Sequence, residues 1–176
     1  MRIVILAGGE GRRIGGGKPQ LLLGGETLLD RALRQARSWS DEVLVAARAG
    51  GDIADDPAIE GPLGGVAAAL ALGGDVLTIP CDMPFLPDDL PQRLVGDAAV
   101  TVAASGGRLH PVCALWKAAA RNALPVYLAT GRRSLTGFAE AAGYAAVEWP
   151  AEPFDPFFNI NDPADLARAE TLIRSR

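Results

Sequence analysis

Cysteine is scarce in this 176-residue sequence, where Cys81 and Cys113, 32 positions apart, are the only two. That separation matches no metal-ligand spacing and builds no disulfide framework. The pair reads most simply as free thiols of a reducing compartment. Long apolar runs are lacking too. The longest stretch without a charged residue, 61–74, holds 14 residues, among them Pro62 and five glycines, and is too short and broken to span a bilayer. The N-terminal apolar run, 3–7, is five residues long and too short for the core of a secretory signal. Positive charge is not in excess: 17 Lys and Arg stand against 21 Asp and Glu, a net of −4. Such a balance argues against general nucleic-acid binding, while leaving room for a local basic pocket. The expectation is a cytoplasmic protein with no nucleic-acid partner and no membrane.

Glycine, by contrast, is abundant. There are 21, with 13 prolines, in a chain that is 49% hydrophobic with a mean hydropathy of +0.16. That apolar content excludes a disordered or collagen-like chain, and the length fits one domain with a sizeable core. Eight of the glycines (Gly8, Gly9, Gly11, Gly15, Gly16, Gly17, Gly24 and Gly25) lie in the first 25 residues, and Gly61, Gly64 and Gly65 form a second knot. Clustered glycine points to backbone held close to a ligand, where scattered glycine would indicate only turns.

Short β-branched runs alternate with Ala- and Leu-rich stretches of helical length. The pattern predicts strands over 2–7, 42–47, 75–80, 99–104 and 109–116, with extended chain over 145–149. Helices are predicted over 27–37, 63–72, 88–95, 117–128 and 134–142. A last helix runs from Pro163 to about residue 173, with Asp162 as N-cap and Asp165 in the first turn. The Pro- and Phe-rich segment 152–158 reads as a packed loop. Alternation of this kind predicts an α/β fold of three layers, Rossmann-like, with a mostly parallel central sheet and a small antiparallel excursion at 99–116. One domain is expected over 1–176, in two halves of about 1–100 and about 101–176.

The first strand runs directly into Leu6-Ala7-Gly8-Gly9-Glu10-Gly11-Arg12-Arg13-Ile14-Gly15-Gly16-Gly17-Lys18-Pro19. In open α/β sheets ligands bind beyond the carboxyl ends of strands, which is where this loop sits. Its glycines free backbone amides to turn toward anionic oxygens. Arg12, Arg13 and Lys18 against Glu10 give it a charge of +2 in a chain of −4, a reversal that suggests phosphate. Known phosphate loops fit poorly. A Walker loop would need Gly where Arg12 stands and a hydroxyl where Pro19 stands, and the dinucleotide fingerprint begun at Gly9 meets Ile14 at its last position. Gly11, Gly15 and Gly17 match a short-chain-dehydrogenase spacing, but its Tyr-x-x-x-Lys partner is missing, since Tyr127 leads to Gly131 and Tyr144 to Glu148.

The third long strand ends at Pro80-Cys81-Asp82-Met83-Pro84. A carboxylate at the carboxyl end of a central strand, in a turn stiffened by prolines, is well placed for a hard cation such as Mg²⁺, which takes one or two carboxylates and completes its shell with water and phosphate oxygens. A cap for the helix predicted over 88–95 is the competing reading, and Asp82 lies several residues upstream of it. Small residues at Gly61, Gly64, Gly65, Ala67 and Ala68 let a helix approach a ligand closely, or pack tightly on strand 1.

Taken together, the stretch LAGGEGRRIGGGKPQLLLGGETLLDRAL, Gly-Pro-Leu-Gly-Gly at 61–65, Cys-Asp-Met-Pro at 81–84, Leu109-His110-Pro111, Gly131-Arg132-Arg133-Ser134-Leu135 and Phe158-Asn159-Ile160-Asn161-Asp162-Pro163 resemble the MobA family of molybdenum cofactor guanylyltransferases. The resemblance covers essentially the whole chain in order. It implies a nucleotidyltransferase that moves GMP from GTP to molybdopterin with Mg²⁺, releasing pyrophosphate, and transient contacts with other molybdenum-cofactor assembly proteins. Carried over residue by residue, it places nucleotide contacts at Leu6, Ala7, Gly8, Gly9, Lys18, Gly61, Pro62, Leu63 and Asp82, with Asp82 as metal ligand. An aspartate upstream of the Gly-Pro-Leu motif fits Asp56 best, with Asp55 its neighbour. Lys18, Arg13 and Asp82 are the candidate catalytic residues: the phosphate nucleophile is already ionised at neutral pH, so cations and amides suffice and no strong base is required. His110, Arg132, Arg133, Asn159 and Asn161 are candidates for holding the acceptor. Structural roles compete for each of them: a satisfied histidine, exposed arginines, loop-building amides. One departure from the family stands at the end of strand 2, where Ala46 replaces a frequent Asn. Cytidylyl transfer to the same pterin is the nearest rival, although that branch usually has Leu-Ala-Ala-Gly where this chain has Leu-Ala-Gly-Gly. Activation of a sugar phosphate, by enzymes generally longer than this, and a non-enzymatic partner-binding domain are the others.

Overall fold

The computed structural model describes residues 1–8 and 17–174. A seven-stranded sheet runs through it in the order β5-β4-β1-β6-β8-β7-β9. Its strands are β1 (Arg2–Leu6), β4 (Val43–Ala47), β5 (Ile53–Ala54), β6 (Val76–Pro80), β7 (Val100–Ser105), β8 (Arg108–Trp116) and β9 (Tyr144–Trp149). Strands β5, β4, β1 and β6 are mutually parallel, β8 is antiparallel to both β6 and β7, and β9 is parallel to β7. The carboxyl ends of β1, β4, β6 and β7 therefore share one edge with the start of β8. The predicted three-layer α/β architecture is present, and the antiparallel excursion is a β7–β8 hairpin inserted beside β6.

Burial explains why β1 and β6 lie at the centre. Ile3, Val4, Ile5, Leu77 and Ile79 are fully buried, and nearly continuous apolar strands of this kind need cover on both faces. One face packs on α1 (Leu28–Trp39) through Ala32 and Ala36, and on α3 (Leu90–Arg93) through Leu90. The opposite face packs on α2 (Pro62–Ala71), α4 (Leu124–Ala129) and α5 (Leu135–Ala142). There Trp116 stacks on Phe138 with centroids 5.3 Å apart while its indole N–H donates to Thr78 Oγ1 at 2.9 Å. Helix α1 starts where Thr27 accepts from the Asp30 amide at 3.0 Å, a cap that stabilises such a helix by about 1 kcal/mol.

Two predicted helices are shorter than expected. Only Leu90–Arg93 of 88–95 is helical, where Pro91 in the first turn removes a donor and Gly96 follows within three residues. The stretch 117–128 divides into a 3₁₀ segment, Ala118–Ala123, and α4, because Pro125 has no N–H with which to continue an α ladder upstream. A further small sheet pairs β2 (Leu22–Leu23) with β3 (Glu26–Thr27) around Gly24 and Gly25. Both glycines have positive φ, 62° and 82°, the conformation that a two-residue hairpin turn demands.

The last helix, α6 (Pro163–Arg174), closes the molecule on this small sheet. Ala169, Leu166, Leu172 and Ile173 pack with Leu23, Leu28 and Phe85. The Gly24 amide donates to Glu170 at 2.9 Å. Segment 152–158 is packed as expected, with Phe85 edge-on to Phe154 at 5.0 Å and Phe157 buried. This docking brings the chain before α6 beside residue 18. Among the described residues no helix is long and apolar enough to cross a membrane.

Candidate active site

At the shared strand edge, β6 ends in Pro80 and the chain continues as Cys81-Asp82, with the Cys81 amide still bonded to the Leu6 carbonyl of β1 at 3.4 Å. Asp82 is thus held by the last rung of the central ladder. The Lys18 ammonium donates to Asp82 Oδ2 at 2.6 Å and to Asn161 Oδ1 at 3.0 Å. Both charged side chains are mostly buried, 12% and 16% exposed, so the pair is shielded from the screening that weakens surface ion pairs. The Ile160 amide donates to the Asp82 carbonyl at 3.0 Å, fastening the Asn159–Asn161 loop to the same residue. Beyond it, Asp165 accepts from the Asn161 amide, and Asp162 accepts from the Asp165 amide at 2.9 Å as the N-cap of α6.

Two oxygens in this cluster stand out. Asp82 Oδ1 and Asn159 Oδ1 are buried and have no hydrogen-bond partner among the described residues. Buried polar atoms are paired in the great majority of cases, so these two oxygens are candidates for pairing with a bound ion, water or ligand. A carboxylate and an amide oxygen form the hard donor set that Mg²⁺ favours, with waters and phosphates completing its shell. Among the described residues no cluster of three or more His, Cys, Asp or Glu side chains is arranged to hold a metal. The donor set therefore fits a hard, partly hydrated cation in place of a closed transition-metal cage.

On the other side of β1, Ala7 continues the ladder by donating to the Ala46 carbonyl at 2.8 Å, and Leu6 is buried in the core. Asp55, just past β5, lies directly against Gly8. A methyl group at Gly8 would collide with its carboxylate, and one at Gly65 would meet Asp55 Oδ1 at 3.1 Å and Leu6 Cδ2 at 2.9 Å. Burial pushes the Asp55 carboxyl above its usual range, with Arg48 acting in the opposite direction. Asp56 is engaged elsewhere, its Oδ1 accepting from the Ala58 amide at 2.9 Å in a local turn. Gly61 sits at φ 74°, ψ −166°, a conformation open to glycine, and Pro62 begins α2. Leu63 points into the core and is fully buried. The small residues of α2 thus serve tight packing: a Cβ on Gly64 would lie 2.7 Å from the Ile59 carbonyl oxygen.

The remaining expected positions divide. Gly9 and Arg13 lie outside the described residues. Arg132 reaches Glu140 at 3.6 Å and lies 5.5 Å from the Tyr127 ring centroid, while Arg133 donates to the carbonyls of Leu128 and Arg132. Both sit in the turn before α5. Gly143, which ends α5, bonds to Val100 at the start of β7, so the opposite end of this helix lies toward the active edge. His110 is buried and bonded to Ser105 at 2.7 Å, and desolvation lowers its pKa below the ordinary 6.5. Cys81 and Cys113 are free, buried thiols; burial pushes Cys81 up to about 12. Sequence reasoning missed Ser105 and Asp155 entirely.

The mostly parallel sheet is covered on both faces and carries a Lys–Asp–Asn cluster at its carboxyl edge, and its relatives identify the chain as a nucleotidyltransferase. A molybdenum cofactor guanylyltransferase of Cereibacter sphaeroides is 42% identical, with 97% of this chain and 96% of that protein covered. One of Acidiphilium cryptum is 45% identical, with 97% and 94% covered. Among solved structures, molybdopterin-guanine dinucleotide biosynthesis protein A of Archaeoglobus fulgidus superposes with a TM-score of 0.81 at 24% identity over the whole of both chains. The 2-C-methyl-D-erythritol 4-phosphate cytidylyltransferase of Thermus thermophilus gives 0.69 at 24% identity, over 99% and 98%. Residues 3–144 match the family described as the MobA-like NTP transferase domain, and the chain belongs to that family.

Proposed function

We propose that this enzyme transfers GMP from GTP to molybdopterin, forming the guanine dinucleotide and pyrophosphate, with Mg²⁺ as its metal. The observation that carries the reading is the Lys18–Asp82–Asn161 cluster with its two orphaned oxygens, set at the carboxyl edge of β1 and β6. The names of the relatives at 42% and 45% identity supply the base and the acceptor.

The nucleotide-binding half, about 1–100, holds GTP through the backbone of Leu6, Ala7, Gly8 and Gly9 and the start of α2 at Gly61, Pro62 and Leu63. Asp55 takes the role first given to Asp56: guanine presents two adjacent N–H donors on one edge, and a carboxylate accepts both at once. The acceptor half, about 101–176, presents Asn159 and Asn161 to the pterin or to the metal's shell, His110 beneath them, and Arg132 and Arg133 to the pterin's phosphate. Asp82 Oδ1 and Asn159 Oδ1 would hold Mg²⁺, which when bound draws electron density from the α-phosphate and neutralises the departing pyrophosphate.

The chain's own residues do the rest. Lys18 turns its ammonium toward the triphosphate, with Arg13 as a second cation. A terminal oxygen of the acceptor phosphate attacks the α-phosphorus, the bond to the β-phosphate oxygen breaks, and pyrophosphate leaves with the electron pair. The attacking oxygen is ionised at neutral pH. No proton has to be removed, and neither His110 nor a buried thiol is asked to act as base.

Thermal melting with each nucleoside triphosphate and Mg²⁺ tests the reading. GTP should raise the midpoint more than ATP or CTP, and Asp82→Ala should remove the Mg²⁺-dependent part. Equal shifts from all three nucleotides would defeat the choice of base, and a shift by CTP alone would favour cytidylyl transfer. An Asp82→Ala protein that kept its Mg²⁺ response would defeat the metal assignment.

A further inference from the structure

A buried polar array lies beside the site and is not used in the chemistry above. Ser105, the last residue of β7, and His110, in β8, are 3% and 5% exposed. Pro111 offers no N–H to the hairpin, and the register jumps there from Val102↔Ala114 to Ala103↔His110. On the turn side of this shift Ser105 pairs with Arg108 and Ala103 with His110, so Ser105 and His110 are diagonal neighbours on one face. The Ser105 hydroxyl donates to Asp155 Oδ1 at 2.8 Å, since a carboxylate can only accept. Its single proton is thereby committed. At 2.7 Å its oxygen must accept from His110 Nε2–H, which fixes the position of the imidazole proton.

Asp155 passes the constraint onward. Its Oδ1 also accepts from the Phe157 amide at 2.9 Å, and its carbonyl accepts from the Phe158 amide at 3.1 Å. The Phe157 ring stacks on His110 with centroids 4.7 Å apart and planes 13° from parallel. Three and four residues after Phe157, Ile160 bonds to the Asp82 carbonyl and Asn161 accepts from Lys18. The loop is thus fastened at both ends, to the β7–β8 hairpin at Asp155 and to the catalytic carboxylate's own backbone at Ile160.

We propose that Ser105, His110 and Asp155 form a positioning relay that fixes the height and direction of the Asn159–Asn161 loop over Lys18 and Asp82. The proposal rests on the reading of that loop as the acceptor side of the active site. The three are positioning residues: they hold the amides that meet the substrate. A fully satisfied buried network specifies one geometry where an apolar filling would tolerate several.

Two readouts test the relay. Ser105→Ala deletes one oxygen, Asp155→Ala removes the shared acceptor, and Asp155→Asn keeps an acceptor oxygen for both Ser105 and the Phe157 amide. In Ser105→Ala and Asp155→Ala, amide hydrogen exchange at Phe157, Phe158 and Ile160 should quicken by about tenfold or more, with residues 3–5 of β1 unchanged. The acceptor-dependent kcat should fall about ten- to a hundredfold, as small misplacements of positioning groups do, while KM for GTP stays within about twofold. Asp155→Asn should restore both. The double variant should lose no more than Asp155→Ala alone, because one chain is broken either way. Unchanged exchange in a folded Ser105→Ala protein would overturn the relay; so would losses that multiply, a GTP KM that climbs with the loss in kcat, or an Asp155→Asn no better than Asp155→Ala. If Asp155→Ala fails to fold, Ser105→Ala carries the test. Should the unmodified enzyme transfer no nucleotide, the proposed function fails, and the exchange measurement alone decides the relay.

Discussion

Lys18→Met isolates the electrostatics of the site. The substitution keeps the length of the side chain and removes its charge, leaving Asp82 with neither of its oxygens paired by Lys18. At 2.6 Å the gross attraction is about 6 kcal/mol for an effective dielectric constant of about 20, much of it offset by the cost of desolvating both groups. Breaking a fully buried pair by removing one partner costs about 3–5 kcal/mol, because the other charge is stranded. Here 12% and 16% exposure lets some water reach the survivors, and about 2–3 kcal/mol is the expected loss. In a chain of this length that lowers the melting midpoint by about 4–12 °C, measured by differential scanning fluorimetry without nucleotide or metal. The decisive control is Lys18→Met with Asp82→Asn, which removes the stranded charge and should recover more than half of the loss. If Lys18→Met melted within about 2 °C of the unmodified protein, the pair would be an ordinary surface contact and the reasoning would fail. It would fail equally if the double variant were no more stable than the single one.

Three other substitutions follow from the same geometry. Asp55→Asn should raise the melting midpoint, because the Asp55 pKa is raised by burial and its charge at neutral pH opposes folding; it should also weaken GTP binding measured by calorimetry, and unchanged GTP affinity would remove Asp55 from the nucleotide site. Gly64→Ala should destabilise by about 1–3 kcal/mol in urea unfolding despite the better helix propensity of alanine, since its Cβ would press on the Ile59 carbonyl; a neutral or stabilising result would mean that α2 shifts freely. His110 is the only histidine, and burial lowers its pKa in the folded state. The unfolded chain therefore takes up a proton first as pH falls below about 6.5, and stability should decline from there toward the folded pKa by up to about 1.4 kcal/mol per pH unit. Unfolding curves of His110→Gln should lack that component; equal slopes in both proteins would show that His110 titrates alike folded and unfolded.

Much of the fold could be read from the chain because its signals are local. The buried runs of four residues in β1 and five in β6, the Asp162-Pro163 start of α6 and the glycine turn at 106–107 each announce themselves within a few neighbours. Elements of two residues, such as β2, β3 and β5, are too short to show a period, and tertiary pairing alone creates them. Prolines misled in a systematic way. Pro91 and Pro125 were compatible with helices, yet each permits only the turn that follows it. Within the site, Lys18 and Asp82 were legible because each ends a strand or follows a glycine loop. Their meeting with Asn161 depends on the packing of α6 against Leu23 and Leu28, a contact between chain segments well over a hundred residues apart. Ser105 and Asp155 were invisible for the same reason. A serine at a hairpin and an aspartate in a Pro-Phe loop carry no signal until the fold brings them to 2.8 Å. Asp55 and Asp56 are adjacent in the chain, and they part only when the fold sets Asp55 against Gly8 and engages Asp56 with the Ala58 amide.

Pyrophosphate release from GTP in the presence of molybdopterin and Mg²⁺ tests the central claim most directly. The account expects release that requires both substrates and the metal, that is far slower with CTP or ATP, and that vanishes in Asp82→Ala while the variant remains folded. Release that was indifferent to the nucleotide base, or that persisted in Asp82→Ala, would contradict it.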